Sequence, residues 1–357
     1  MKDASQPAPI EVLDQGREAT LVALGRGDLA QFATLQDGLS YFDTSFGYVA
    51  YKQIGGVAIT LGAPICTLED EPEMVRRFVA NIRHPLFFYL RCASLPAVAE
   101  AGLFSASIGV DRSADLKRLL AGPPKVVKGA LRHARRDGVR WVEQARAAID
   151  APLLDQMRTI NQHYLAQAQC SVEMSFLNRP VRPDTDRGRR FLLLQRTDQH
   201  TGSADTFGYA ALSPIHRSGK LEGWLLDALR FRPTRTWGLW LSTVHHLATR
   251  LSKEGSELHL GFSPLHRIVH PRTIPSRLLQ AQMDTMASLL APNPYLTRLR
   301  LLKDTIPGVY DPRFMASYTR RAPMALRVLL SAMGMRMRRM LKPELLTALR
   351  SSVSNRL

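Results

Sequence analysis

Between Glu222 and Pro233 the chain reads Glu-Gly-Trp-Leu-Leu-Asp-Ala-Leu-Arg-Phe-Arg-Pro. Asp227, Arg230 and Arg232 gather toward the end of this strand-like run, and a helical stretch opens directly afterwards at Thr236-Trp237-Gly238. A carboxylate and two guanidinium groups ahead of a helix N-terminus can hold an anion or an activated carbonyl. They can equally form a structural ion pair. The next strand ends in Leu260-Gly261-Phe262-Ser263-Pro264-Leu265, followed later by Leu301-Leu302-Lys303, Pro307 and Asp311-Pro312-Arg313-Phe314. Each block is weak alone.

A second constellation is purely basic: Lys117, Arg118, Lys125, Lys128, Arg132, His133, Arg135, Arg136 and Arg140. On a helix, Lys125, Lys128, Arg132 and Arg136 fall at i, i+3, i+7 and i+11, one continuous cationic face. A solvated face normally mixes signs, whereas the single acid here is Asp137 at the end. The spacing therefore favours a sequence-independent grip on phosphates. The chain holds no GxxxxGK[ST] loop, GxSxG elbow or HExxH pair, which argues against a P-loop nucleotidase, an α/β-hydrolase or a zincin. His259, His266 and His270 cluster in sequence, but no Cys or carboxylate has ligand spacing, so they read as structural and no metal is expected.

The elements that must position these residues alternate between strand and helix. Residues 46–61 read as a hairpin turning at Gly55-Gly56. Glu71–Arg83 is amphipathic at helical spacing, Leu86–Leu90 and Ser105–Val110 are short strands, Lys125–Asp137 is the basic helix, and Val139–Val142 returns as a strand. Leu153–Ala166 is a helix; Phe191–Gln195, Thr206–Leu212 and Glu222–Leu229 are strands. Thr236–Lys253 is a long helix closed by Gly255, and Glu257–Leu260 is the next strand. The fold class is α/β (α+β): two mixed units in tandem, dividing at 1–148 and 149–320, with a polar loop over 176–190 and a tail over 321–357. From Arg313 to Leu357 ten Lys/Arg face one acid, Glu344, with Met and Leu interleaved. That pattern suits a basic amphipathic helix lying on an anionic bilayer or docking on the core.

At 357 residues, two domains are the natural size. An apolar fraction of 45% is enough for a core, and 48 Lys/Arg against 31 Asp/Glu give +17, a surplus aimed at anionic partners such as nucleic acid or a membrane surface. Cys66, Cys92 and Cys170 are sparse, odd in number and fit a reducing compartment. The N-terminus has no apolar signal core, and no stretch of about 18 apolar residues is free of charge. A cytoplasmic location, peripheral at the inner face of the membrane through the tail, is expected.

The order of the motifs is similar to a known family. A basic "ALRxAxRxG" helix, "GYA…LSP", "E…LDALR-x-RP", "LxLGFSPL" and "K…P…DPRF" resemble the C-terminal synthase domain of the lysyl- and alanyl-phosphatidylglycerol synthases, the multiple peptide resistance factor family. The early "YFxTSFGYVAYKQIGGVAITLGAPI" looks like that family's first lobe, so the likeness spans roughly residues 35–320. It implies two tandem GNAT-type lobes related to Fem-type transferases, moving an aminoacyl group from aminoacyl-tRNA to a lipid hydroxyl. By matching motif it implies Asp227, Arg230 and Lys303 as catalytic, with Glu222, Arg232, Gly261, Ser263 and Arg313 lining the substrate site. Lys125, Lys128, Arg132, Arg135 and Arg136 would take the tRNA. An aminoacyl ester is already activated, so no cofactor is implied. Three alternatives stay open: a small amine or hydroxylamine acceptor, an acyl-CoA N-acyltransferase, and a non-catalytic membrane or RNA binder. Against the CoA reading, Arg135-Arg-Asp-Gly138-Val-Arg140 closes a helix, so its amides point the wrong way for a pyrophosphate.

Overall fold

The computed structural model describes residues 10–144, 148–167, 175–182, 188–197, 203–269, 276–291 and 294–333. Eleven strands form one sheet: β1 (Ser40–Thr44), β2 (Gly47–Ile54), β3 (Val57–Leu61), β4 (Pro85–Leu90), β5 (Phe104–Ala114), β6 (Arg140–Gln144), β7 (Arg190–Thr197), β8 (Ala204–Arg217), β9 (Lys220–Phe231), β10 (Glu257–Pro264) and β11 (Gly308–Ser317). Their order across the sheet is β1-β2-β3-β4-β11-β5-β10-β9-β8-β7-β6, and helices α1 (Ile10–Leu24), α3 (Leu95–Glu100), α4 (Leu116–Ala121) and α8 (Arg277–Leu290) accompany those described below. The expected mixed α/β class holds.

Among these neighbours two pairs are parallel, β3 with β4 and β9 with β10. Parallel neighbours need a crossover, supplied by helix α2 (Glu71–Asn81) in the first case and helix α7 (Leu239–Lys253) in the second. After each parallel pair the chain sends one more strand to the centre, and the two halves exchange it. β5 lies beside β10, while β11 inserts between β4 and β5. β6 and the basic helix α5 (Lys125–Arg136) precede the expected division near 148, yet β6 pairs with β7 and α5 packs on α7.

α5 shows how the sequence builds a layer. Val127, Ala130 and Ala134 recur at helical spacing and are buried, with Val127 and Ala130 in a core shared with Leu241, Val244 and Leu247 of α7. On the opposite sheet face, Met157 and Ile160 of helix α6 (Ala151–Gln167) pack against Phe191, Leu193, Tyr209 and Ala211. Alternate strand residues thus feed different cores.

One expectation changes. Arg313–Ser317, read above as part of a basic amphipathic pattern, belongs to β11, whose Pro312 and register slip at Arg313/Phe314 disguise a strand. Helix α10 (Ala322–Ala332), the described start of the tail, buries Ala322, Ala325, Val328, Leu330 and Ala332. The rest of the tail from residue 334 lies outside the described residues.

The long helix begins at Leu239 because Gly238 has φ +71°. A Cβ there would sit 2.5 Å from that of Ala130, so the close approach of α5 to α7 requires glycine. Replacing Gly238 with Ala should lower stability by about 3 kcal/mol or more, read from the shift in the urea-unfolding midpoint.

Candidate active site

Strands β9 and β10 stay paired through only three registers, from Gly223↔Glu257 to Leu225↔His259. Beyond them, β9 runs on against β8 while β10 runs on against β5. A wedge opens between two strands whose facing edges are unpaired. The cause on the β10 side is local: the register slips between His259 and Gly261, and Gly261 has φ +76°, the left-handed residue of a bulge.

That bulge creates a cradle. Successive carbonyls of a regular strand point in opposite directions, but here both Gly261 O and Phe262 O accept from Lys303 Nζ, at 3.0 and 2.7 Å. Lys303 stands near the end of helix α9 (Pro294–Asp304) and is 4% exposed. Burial drives its pKa down to about 8, against a smaller upward pull from Asp111. A neutral amine that donates both protons to these carbonyls has its lone pair left for a third partner. A Cβ on Gly261 would lie 3.3 Å from Leu225 Cδ1 and 4.0 Å from Nζ, which places the amine where the strands part.

On the opposing strand, register skips Asp227, since Ala228 faces Ala211 and Leu226 faces Leu212. This bulge lets residues three apart share one face. Asp227 reaches Ser213, and Arg230 reaches Tyr209, both on the same face of β8. Four strand residues are about 13 Å, so Asp227 and Arg230 are companions on one surface rather than partners. The partner of Asp227 is Arg189, buried among the Arg179 and Pro180 carbonyls and the Ser213 hydroxyl. Ser213 Oγ donates to the same Oδ2 at 2.8 Å. Arg230 is 8% exposed and donates to Asn161 Oδ1 at 2.5 Å and Tyr209 OH at 3.2 Å, beside the Tyr164 ring of α6.

A third cluster lies at the centre of the sheet. Tyr89 OH and Arg313 Nε both donate to the buried Asp111 carboxylate, the latter at 2.5 Å. Arg313 also meets Asp311 at 3.0 Å, yet its Nη1 is buried without a partner. Burial alone would lower the pKa of Arg313, but Asp111, then Asp28, outweigh it and hold it charged. Burial pushes the Asp111 carboxyl upward against the pull of Arg313. Tyr89 adopts φ +76°, a strained conformation for a bulky residue. Asp111 pairs in register with Phe262, so this cluster backs the strand that cradles Lys303.

The remaining expected residues divide. Ser263 is buried on β10 opposite Val110. Arg232 sits at the rim, bound to Asp205 Oδ1 at 2.5 Å and Thr206 O at 3.2 Å. Glu222 leaves the site: five residues before Asp227, near the β8–β9 turn, it pairs with Arg217 at 2.7 Å. Lys125, Lys128, Arg132 and Arg135 are exposed and meet no acid among the described residues, while Arg136 pairs with Asp137. Sequence reasoning missed Arg189, Asn161, Tyr209, Tyr89 and Asp111. The signal for Asp111 was slight, since Asp111-Arg112 simply follow the small and apolar run that ends at Val110.

The family model described as phosphatidylglycerol lysyltransferase, C-terminal, matches residues 20–300. The chain belongs to this family. An uncharacterized protein of Corynebacterium glutamicum is 25% identical over 239 residues, 62% of this chain. The match spans 28% of that relative's length. Among solved structures, the C-terminal domain of a putative lysylphosphatidylglycerol synthetase from Agrobacterium fabrum superposes with TM-score 0.72 at 16% identity, covering 90% of this chain and 96% of that one. L-PGS from Bacillus licheniformis gives 0.70 at 14%, covering 94% and 100%. FemX gives 0.52 at 8%, covering 88% and 98%. At such identities the likeness concerns the fold, and it agrees with the mixed sheet of this phosphatidylglycerol lysyltransferase-family domain.

Two measurements probe the buried charges. Lys303 is protonated in the unfolded chain up to about pH 10.5 but in the folded chain only to about pH 8. Its folded pKa is depressed, so it penalises folding fully below pH 8, and the penalty vanishes as pH rises to 10.5. Relative to Lys303→Met, the wild type should gain about 3 kcal/mol of urea-unfolding stability across that window. Arg313→Met should cost about 3–5 kcal/mol by stranding Asp111, and adding Asp111→Asn should recover part of the loss.

Proposed function

We propose that this chain transfers an aminoacyl group from aminoacyl-tRNA to a hydroxyl of phosphatidylglycerol, its two halves acting as GNAT-like lobes. The observation that supports this reading is the wedge: Lys303 Nζ sits on the β10 carbonyls, and β9 carries Asp227 and Arg230 beyond its last register with β10. The acceptor oxygen bonds to the aminoacyl carbonyl carbon, the ester bond to the ribose oxygen breaks, and the acceptor's proton ends on that ribose oxygen. Proximity and charge stabilisation suffice for a donor already activated.

In this reading neutral Lys303, its N–H groups held by two carbonyls, takes the acceptor's proton and passes it to the leaving oxygen. Arg230 stabilises the carbonyl oxygen as it gains charge, or the acceptor's phosphate. Asp227, fixed through Oδ2 by Arg189 and Ser213, turns its other oxygen to the aminoacyl amine. The cationic row of α5 takes the tRNA backbone. One observation favours a small amine or hydroxylamine acceptor instead: α10 spends its apolar residues on the core, which leaves membrane contact to the tail beyond residue 333.

Incubation with labelled aminoacyl-tRNA pools and phosphatidylglycerol vesicles should move label into the lipid extract. Arg230→Ala should lower turnover by about 100-fold or more, with unchanged unfolding cooperativity. The wild-type rate should climb with pH and level off near 8, and Lys303→Met should be slow and lack that rise. Label appearing only in soluble adducts would replace the lipid by a small acceptor. No transfer from any aminoacyl-tRNA would overturn the reading.

A further inference from the structure

The largest unexplained apolar surface near the basic helix is Trp237, 50% exposed although tryptophan is highly buried on average. It lies in the segment between β9 and α7. Its ring rests against α5: a Cβ on Gly129 would be 3.4 Å from Cζ3, and the His133 ring meets it edge-on at 5.6 Å. Thr236 fixes the segment from below, donating to Asp137 Oδ2 at 2.8 Å while Arg196 donates to it. The indole is thus held at its six-membered edge, through Cζ3 and Cη2, and half open to solvent. Gly129 and His133 alternate along the helix with Lys128 and Arg132, exposed cations that have no acid partner among the described residues.

An aromatic face beside uncompensated cations is the arrangement that binds single-stranded nucleic acid, with stacking for a base and charge for its phosphates. The position is also informative. Trp237 is seven positions beyond Arg230, at most about 25 Å of chain, so a base stacked there stays within a few nucleotides of the wedge. We propose that Trp237 is a stacking platform for an unpaired base near the 3′ end of the RNA donor, with Lys128 and Arg132 holding the adjoining phosphates. This rests on the tRNA-donor reading above and adds to it a base-binding subsite that charge alone does not provide.

The test is binding of uncharged RNA, which requires no chemistry. Two fluorescent hairpins with the same stem are compared by anisotropy on the full chain, one ending in four unpaired 3′ nucleotides and one blunt. Wild type should prefer the tailed hairpin. Trp237→Ala should weaken the tailed hairpin about ten-fold and leave the blunt one unchanged, whereas Trp237→Phe should keep most of the preference. Lys128→Ala should weaken both and flatten the salt dependence by about one ion, a change Trp237→Ala should not make. Equal loss for both hairpins in Trp237→Ala, or none for either, overturns the platform while leaving the transfer assay to decide the function. Failure of wild type to bind either RNA overturns the platform and the donor reading together. Trp237 is exposed, so a thermal melt of Trp237→Ala close to that of wild type accompanies the measurement.

Discussion

Two parallel strands that stop pairing after three registers leave backbone groups in the interior of a sheet with no ladder to join. Burying such groups unsatisfied costs a few kcal/mol each, so something must occupy the gap. In this protein part of the answer is a lysine whose amine takes two consecutive carbonyls of β10, an arrangement made possible by one left-handed glycine. Burial in the same gap desolvates the amine and lowers its proton affinity. Architecture and acid–base character therefore share one cause.

The charges at the centre follow the same logic from the other side. Arg313 comes from β11, Asp111 from β5 and Tyr89 from β4, so the buried cluster ties together strands contributed by both halves of the chain. Such pairs seldom add net stability over apolar packing, but they penalise any arrangement that separates them. The cluster specifies which strands meet, and it does so directly behind the residue pair that holds Lys303.

Much of this was legible in the residues. Period-two runs located most of the strands, and the cationic spacing on α5 matched its exposed face. What stayed hidden had physical reasons. Proline and a register slip masked β11, because a strand signal assumes an unbroken ladder. Asp227 and Arg230, three apart, belong to opposite faces of any regular strand, and the bulge that reconciles them has no sequence signature. Arg189 belongs to a stretch whose prolines and charges read as a solvated loop, yet its side chain is the buried partner of Asp227. Glu222 showed the converse: a carboxylate near a telling motif, drawn away by the local chemistry of a turn.

The late position of β11 in the chain bears on how the protein is made. While a ribosome is still extending it, β4 and β5 have been synthesised but the strand that separates them has not. Until it arrives, each offers an open edge, the template that invites pairing with another nascent chain. A molecule assembled in this order completes its middle last. Its yield in a cell would depend on chaperones that shield those edges.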